Sequence, residues 1–266
     1  MPRAVRPALG EVAAQEPSRT HEPPPARLRR CCVLEEVPGL QAELPPAVRP
    51  AARRAATAAI VSVAPGEQPI QEWYGGSLHG PGLLVLHGTL AREVHVAGRT
   101  ATELLGPGDL LRPWDVPGGE PVPSTIAWRV LAAVELALLD AFFADRTRPF
   151  PQIAAELMSR CVQRAESLAV QRAIACHPRV DMRVAMLLWH LAGRYGYVRP
   201  DGRVQVPLPL THRLVGELIG AERPSVSHAF GRLSRAGLVL RARDGWLLSG
   251  TPEEHAEVAT RPLPPH

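Results

Sequence analysis

Residues 210–238 read Leu210-Thr211-His212-Arg213-Leu214-Val215-Gly216-Glu217-Leu218-Ile219-Gly220-Ala221-Glu222-Arg223-Pro224-Ser225-Val226-Ser227-His228-Ala229-Phe230-Gly231-Arg232-Leu233-Ser234-Arg235-Ala236-Gly237-Leu238. Thr211 suits the cap of a short helix whose apolar face is Leu214, Val215, Leu218 and Ile219. Gly220 suits a tight turn where a side chain would clash, and Gly216 places a small residue at the helix contact. Arg223-Pro224 then opens a second helix, since proline is tolerated in a first turn. Val226, Phe230 and Leu233 point inward at i, i+4 and i+7. The other face carries Arg223, Ser225, Ser227, His228 and Arg232, donors without bulk that suit a groove lined with phosphates and base edges. Gly237 ends the helix, and Leu238–Leu240 with Trp246–Leu248 around Arg243-Asp244-Gly245 read as a β-hairpin. The spacing predicts a winged helix-turn-helix.

Charge agrees with that reading. Of 266 residues, 30 are basic and 26 acidic, a formal net charge of +4. Residues 179–250 hold 11 arginines against five acids, a net +6, while residues 1–178 balance at 18 of each. A basic segment on a neutral chain points to an anionic partner, with nucleic acid the first candidate. The chain has no lysine and no asparagine, so every fixed cation is arginine. That is a composition bias, and the motif outweighs the count.

Upstream, residues 151–176 lack glycine and proline after the first position, which predicts one long helix. Ile153, Leu157, Cys161, Arg164, Leu168 and Arg172 share a face with Ala165 and Ala169 beside it. So narrow a stripe fits a seam with a second copy, Ile153, Leu157, Cys161 and Leu168 being its candidates; the other reading lays the helix on its own domain. A second helix is expected over about Val180–Tyr195, and a short strand over Arg203–Val206. From Cys32 to Asp140, short apolar runs lie between Gly and Pro breaks: Ala58–Val63, Gly82–Leu86, Glu93–Val96, Thr102–Leu105 and Ile126–Leu139. They predict a small antiparallel β-roll, the run at 130–139 reading equally as strand or helix. The ends, 1–26 and 252–266, are rich in Pro and charge and read as disordered tails.

Several function classes find no support. Cys31, Cys32, Cys161 and Cys176 contain no C-x-x-C pair for zinc, cluster or disulfide framework, and no apolar run approaches the ~18 residues of a membrane span. A cytoplasmic protein is expected. His79, His87 and His95 are evenly spaced, but no carboxylate joins them in a ligand pattern, so no metal is expected. No nucleophile–base pair, phosphate loop or carboxylate pair suggests an enzyme.

The order β-roll, long helix, second helix, winged helix-turn-helix resembles the Crp/Fnr family of bacterial transcription regulators. The resemblance covers about residues 32–250. It is carried by Thr211, Val215-Gly216, Leu218-Ile219-Gly220, Arg223, Ser225-Val226-Ser227-His228, Phe230 and Leu233. His87-Gly88-Thr89-Leu90 and Leu105 to Leu111 look like the family's glycine turns. It implies an α+β chain with a cyclic-nucleotide-binding-like roll (27–148), a dimerisation helix (149–177) and a DNA-binding domain (178–251). It also implies a homodimer on a near-palindrome, with RNA polymerase a further partner. Carried over, Arg223, His228 and Ser227 become base-reading candidates, and Thr211, Arg213, Ser225, Arg232 and Arg243 phosphate contacts. Family recognition helices commonly open Arg-Glu and carry Arg five residues after the first; here Pro224 and His228 stand instead, implying a different half-site.

The effector site departs further. Gly108-Asp109 is followed by Arg112-Pro113-Trp114, and Ser124-Thr125 stands where the family's Arg-Ser pair holds a cyclic phosphate. Arg112, Ser124, Thr125 and Arg129 are the remaining candidates for a pocket, and control by cyclic AMP or cyclic GMP is not expected. A different class of reading is a small-molecule or metal sensor whose helix-turn-helix contacts protein.

Overall fold

The computed structural model describes residues 29–67, 80–112 and 122–260. The whole of the expected N-terminal tail (1–26), His79 and Trp114 lie outside them. The described chain runs β1 (Arg30–Cys32), α1 (Val33–Glu36), a 3₁₀ turn (Pro38–Gln41), α2 (Arg49–Ala55), β2 (Thr57–Val63) and β3 (Gly66–Glu67). Then come β4 (Gly82–Val96), β5 (Arg99–Leu105), β6 (Leu110–Leu111), β7 (Ser124–Leu139), α3 (Ala141–Thr147), α4 (Pro151–Ala175) and α5 (Val180–Tyr195). The remainder is β8 (Tyr197–Val198), β9 (Val204–Val206), α6 (His212–Ile219), α7 (Arg223–Arg235), β10 (Val239–Ala242), β11 (Gly245–Leu248) and α8 (Pro252–Thr260).

The first sheet is antiparallel throughout, ordered β1-β2-β7-β4-β5, with β3 on β7 and β6 on β4. The two expected strands at 82–86 and 93–96 are one 15-residue strand. Gly88 explains the difference. Its φ of +83° sits among register shifts between Val85 and Leu90, and a Cβ there would collide with the Ala133 backbone, so the strand bends without breaking. The 130–139 run is strand. It pairs with β2 on one side and β4 on the other, which accounts for its poor alternation. Leu83, Val85, Leu90, Leu105, Leu111, Val130 and Leu136 fill one core of this sheet.

Cys31 and Cys32 lie on edge strand β1 as free, half-buried thiols. Burial and neighbouring Glu36 push Cys31 up to about 11, which keeps it a thiol near neutrality.

α4 lies on its own roll. Ile153 and Leu157, expected in an intermolecular seam, are 1% and 5% exposed, packed with Leu84, Leu86 and Phe143. The cause is a polar lock on the same face. Arg164 makes a two-pronged pair with buried Glu103 (2.5 and 2.7 Å) and donates to the Leu110 carbonyl, while Arg160 donates to that of Gly108. Leu168 faces inward to a cavity beside β5, and Cys161 alone of that set is exposed. The outward face instead carries Ala155, Met158, Val162, Ala165, Ala169 and Cys176, all exposed, at alternating spacings of three and four until Arg172 interrupts them.

The tail expected at 252–266 is also corrected. Residues 252–260 form α8, packed on α5 and α7, with His255 fully buried and Ala259 1% exposed. Thr251 and Glu254 close a capping box, each side chain accepting from the other's backbone N–H at 3.3 and 3.1 Å. Residues 261–266 lie outside the described chain.

Candidate nucleic-acid interface

The second core is built from α5, α6, α7 and the sheet β10-β11-β9-β8. Val184, Leu188, Val215, Ile219, Val226, Phe230, Leu233 and Leu248 are among its buried members. Thr211 caps α6, its hydroxyl accepting from the Leu214 N–H at 3.1 Å. Gly220 ends α6 in the left-handed region (φ 63°, ψ 43°), a conformation glycine adopts without strain. Gly216 leaves room for the turn: a Cβ would strike the Ala221 carbonyl, and the Ala221 N–H donates to the Gly216 carbonyl at 2.9 Å.

These contacts aim α7 outward. Its first turn shows Arg223, Pro224 and Ser225 to solvent, with His228 one turn on. No side chain caps its N-terminus, so its first amides face water beside Arg223. An uncapped helix start with an arginine is a ready site for a phosphate or a base edge. Arg243 is exposed on the β10–β11 turn. Arg213 is exposed and holds only Glu217 on its own helix, a weak surface pair that a phosphate can displace.

Two expected contacts are placed differently. Arg232 turns inward: it pairs with Asp181 at 2.7 Å and donates to the Val258 carbonyl, tying α7 to α5 and α8. A guanidinium satisfied at 13% exposure is held away from a DNA backbone. Ser227 is half-buried. Its hydroxyl donates to the Arg223 carbonyl at 3.0 Å and meets His212 Nδ1 at 2.9 Å, so it braces the helix start and does not present itself to a base.

His212 is a residue that sequence reasoning missed. Its ring stacks on Phe230 (4.6 Å between centroids) and Trp246 (5.9 Å). With Ser227 donating onward, His212 must carry its proton on Nδ1. Burial, then Arg223 and Arg241, hold its pKa below the usual value, so the ring stays neutral near pH 7. Arg241 was missed too: it lies over the Trp246 ring at 4.8 Å and shares the Leu210 carbonyl with the indole N–H, fixing the hairpin to the start of α6.

The candidate pocket residues do not come together. Arg112 reaches the Gly80 carbonyl beside the Leu83–Leu111 pair, whereas Ser124 and Thr125 lie opposite Val96 and His95 at the other end of β4. Arg129 is committed elsewhere, to Glu93 (2.6 Å) and to Glu217 of α6 (2.5 Å). His87 meets Glu36, and His95 meets Thr100.

Residues 182–249 match the family model of the Crp-like helix-turn-helix domain. This region is a Crp-like helix-turn-helix domain. The whole chain has the corresponding fold. It is similar to FixK2 from Bradyrhizobium japonicum (17% identity, TM-score 0.52, covering 77% of this chain and 99% of that one). It is also similar to a CooA mutant from Carboxydothermus hydrogenoformans (15%, 0.54, 84% and 95%). A third likeness is a cyclic nucleotide-binding domain containing protein from Listeria monocytogenes EGD-e (13%, 0.58, 81% and 97%). No curated protein matches the chain. The chain thus carries a Crp-like helix-turn-helix domain on a roll and long helix that share the fold of these structures. Among the described residues, no helix is long and apolar enough to cross a membrane.

Proposed function

We propose that the protein regulates transcription as a homodimer that reads a near-palindromic operator from the cytoplasm, without control by cyclic AMP. The observation that carries DNA reading is the exposed, uncapped start of α7, with Arg223, Ser225 and His228 clear of the core while Val226, Ala229, Phe230 and Leu233 are buried. Arg223 and His228 take base edges; Thr211, Arg213, Ser225 and Arg243 take phosphates around them. Pro224 has no acceptor for a cytosine amino group, which sets the half-site apart from those read by an Arg-Glu opening.

Dimerisation follows from the outward face of α4, where Met158 (65% exposed), Val162 (52%) and the alanines present an uncovered seam. Two copies joined there present two α7 helices about one DNA turn, ~34 Å, apart. The scattering of Arg112, Ser124, Thr125 and Arg129 supports independence from cyclic AMP, because a buried cyclic phosphate needs a convergent cation.

Selection from random duplexes tests this reading. The wild type enriches an inverted repeat, equally with and without cyclic AMP, and Arg223→Ala loses discrimination by about 1–3 kcal/mol per half-site. Unchanged enrichment by Arg223→Ala would overturn the assignment of α7.

A further inference from the structure

The basic stretch 179–250 holds 11 arginines and five acids. Among the described residues, every one of those arginines except Arg223 and Arg243 donates its side chain to a carboxylate or a carbonyl. The acids divide in the same way. Asp181, Asp201 and Glu217 are held by Arg232, Arg203 and Arg129 at 2.7, 2.6 and 2.5 Å. The side chains of Asp244 and Glu222 have no hydrogen bond or ion pair among the described residues. Asp244 has a local reason to be where it is. It sits in the β10–β11 turn between Arg243 and Gly245 (φ 120°), and aspartate is a favoured turn residue. Glu222 has no such reason. It is the N-cap residue of α7, exposed and extended (φ −70°, ψ 142°), and its side chain does not cap the helix. Thr211, Asp140 and Thr251 do cap the helices they precede. Glutamate at that position forgoes the stabilisation that a serine, threonine or aspartate supplies. It also sets a negative charge where the phosphates of a duplex approach, and like charges repel.

We infer that Glu222 is a specificity-determining residue, its carboxylate accepting from the exocyclic amino group of a cytosine in the base pair next to the guanine taken by Arg223. In the major groove a carboxylate matches the cytosine amino group, as a guanidinium matches guanine O6 and N7. Consecutive residues at a helix start do not face one another, which is why Glu222 and Arg223 adjoin without pairing. Two such side chains address neighbouring base pairs, ~3.4 Å apart along a strand. The repulsion from phosphates then becomes discrimination. A duplex with no amino group at that place leaves the carboxylate desolvated and unmatched, so the wrong sequence is rejected as well as the right one held. Nothing within α7 can take this part, because Arg223–Arg235 contains no acidic residue. The inference rests on the proposed DNA reading by α7.

Selection from random duplexes with the full chain and its variants tests this. The wild type enriches a C·G pair beside the pair whose preference Arg223→Ala abolishes. Glu222→Ala loses preference for that C·G pair by about fivefold or more, keeps the guanine preference of Arg223, and holds a scrambled duplex more tightly than the wild type does. Glu222→Gln moves the preference at that pair from cytosine to adenine, the base a glutamine matches. Glu222 is exposed and unpartnered, so both variants fold, which melting curves verify. A chemical probe reads the same contact without changing the protein. N4-methylcytosine keeps its pairing hydrogen and loses the one exposed in the groove. Placed at the enriched cytosine, it weakens the wild type by about fivefold or more and leaves Glu222→Ala unchanged. If Glu222→Ala tightens every duplex by one common factor with its base preferences intact, the carboxylate is a repelling charge only and the inference is overturned. A wild type indifferent to N4-methylcytosine overturns it equally. Either result, with Arg223-dependent selection intact, removes the role of Glu222 alone. A wild type that selects no duplex removes the DNA reading and this inference with it.

Discussion

Gly231 sits inside α7, the proposed reading helix, and a Cβ there would meet nothing within 4 Å. Glycine in a helix interior costs about 0.5–1 kcal/mol against alanine, and the protomer's own packing gives no reason to accept it. Gly231 lies seven residues after Pro224 and three after His228, on the same outward face, where a phosphate backbone can approach closely. Gly231→Ala is therefore expected to raise stability by that amount in urea melts and to lower operator affinity several-fold in gel shifts. His255 makes a second residue-scale case. It is fully buried, its Nε2 meets the Ser249 carbonyl at 2.9 Å, and burial holds its pKa below the usual value. The unfolded chain takes up this proton first as pH falls. The stability His255 contributes is thus intact above its unfolded pKa of ~6.5 and is lost as pH drops through the lower folded value. His190 and His212, lowered by the same cause, add to that slope. Melts at pH 7.5 and 5.5 should show the acid loss, and His255→Asn should reduce the difference between them.

At the scale of elements, neighbours on α4 face opposite ways. Leu157→Ala opens the roll-side core and should cost about 2–4 kcal/mol, read by urea melts. Met158→Glu touches only the outward face and should leave the protomer folded while shifting sedimentation from dimer to monomer. Arg232→Ala, expected from sequence to weaken a phosphate contact, should instead loosen the α5–α7–α8 junction and lower the melting temperature. The ends of α4 and α5 and the whole α6–turn–α7 unit were legible, because Pro, Gly and Thr caps mark them and the apolar spacing is helical. The facing of α4 was not. Arg160 and Arg164 read as surface charge, and nothing local announces that Glu103, some 60 residues earlier, waits in the roll for one of them. α8 carried a legible sign, the capping box Thr251-x-x-Glu254, hidden by the proline-rich composition around it. The inward turn of Arg232 was illegible for the same long-range reason, since its partner Asp181 lies 51 residues away.

Across the whole molecule, the roll and the Crp-like domain are joined by contacts of several kinds. Leu104 of β5 packs into the core of the C-terminal domain, Arg129 bridges Glu93 and Glu217, and Arg194 pairs with buried Asp109 at 2.7 Å. The proposed DNA-reading surface is thereby mechanically continuous with the roll, as the proposed regulation requires. Truncation after Gly250 removes α8 from α5 and α7, uncovers the Trp189 ring against His255 and should lower the melting temperature without changing the duplex the chain selects. The central claim is that the basic C-terminal domain binds duplex DNA through phosphates around a base-reading helix. Its most direct test is the affinity of the full chain for its selected duplex between 50 and 200 mM salt. The account predicts a linear fall of log affinity with log salt, each phosphate contact contributing a slope of about −0.9, with the selected duplex held tighter than a scrambled one throughout. No measurable affinity at physiological salt, or an affinity indifferent to salt, would contradict it.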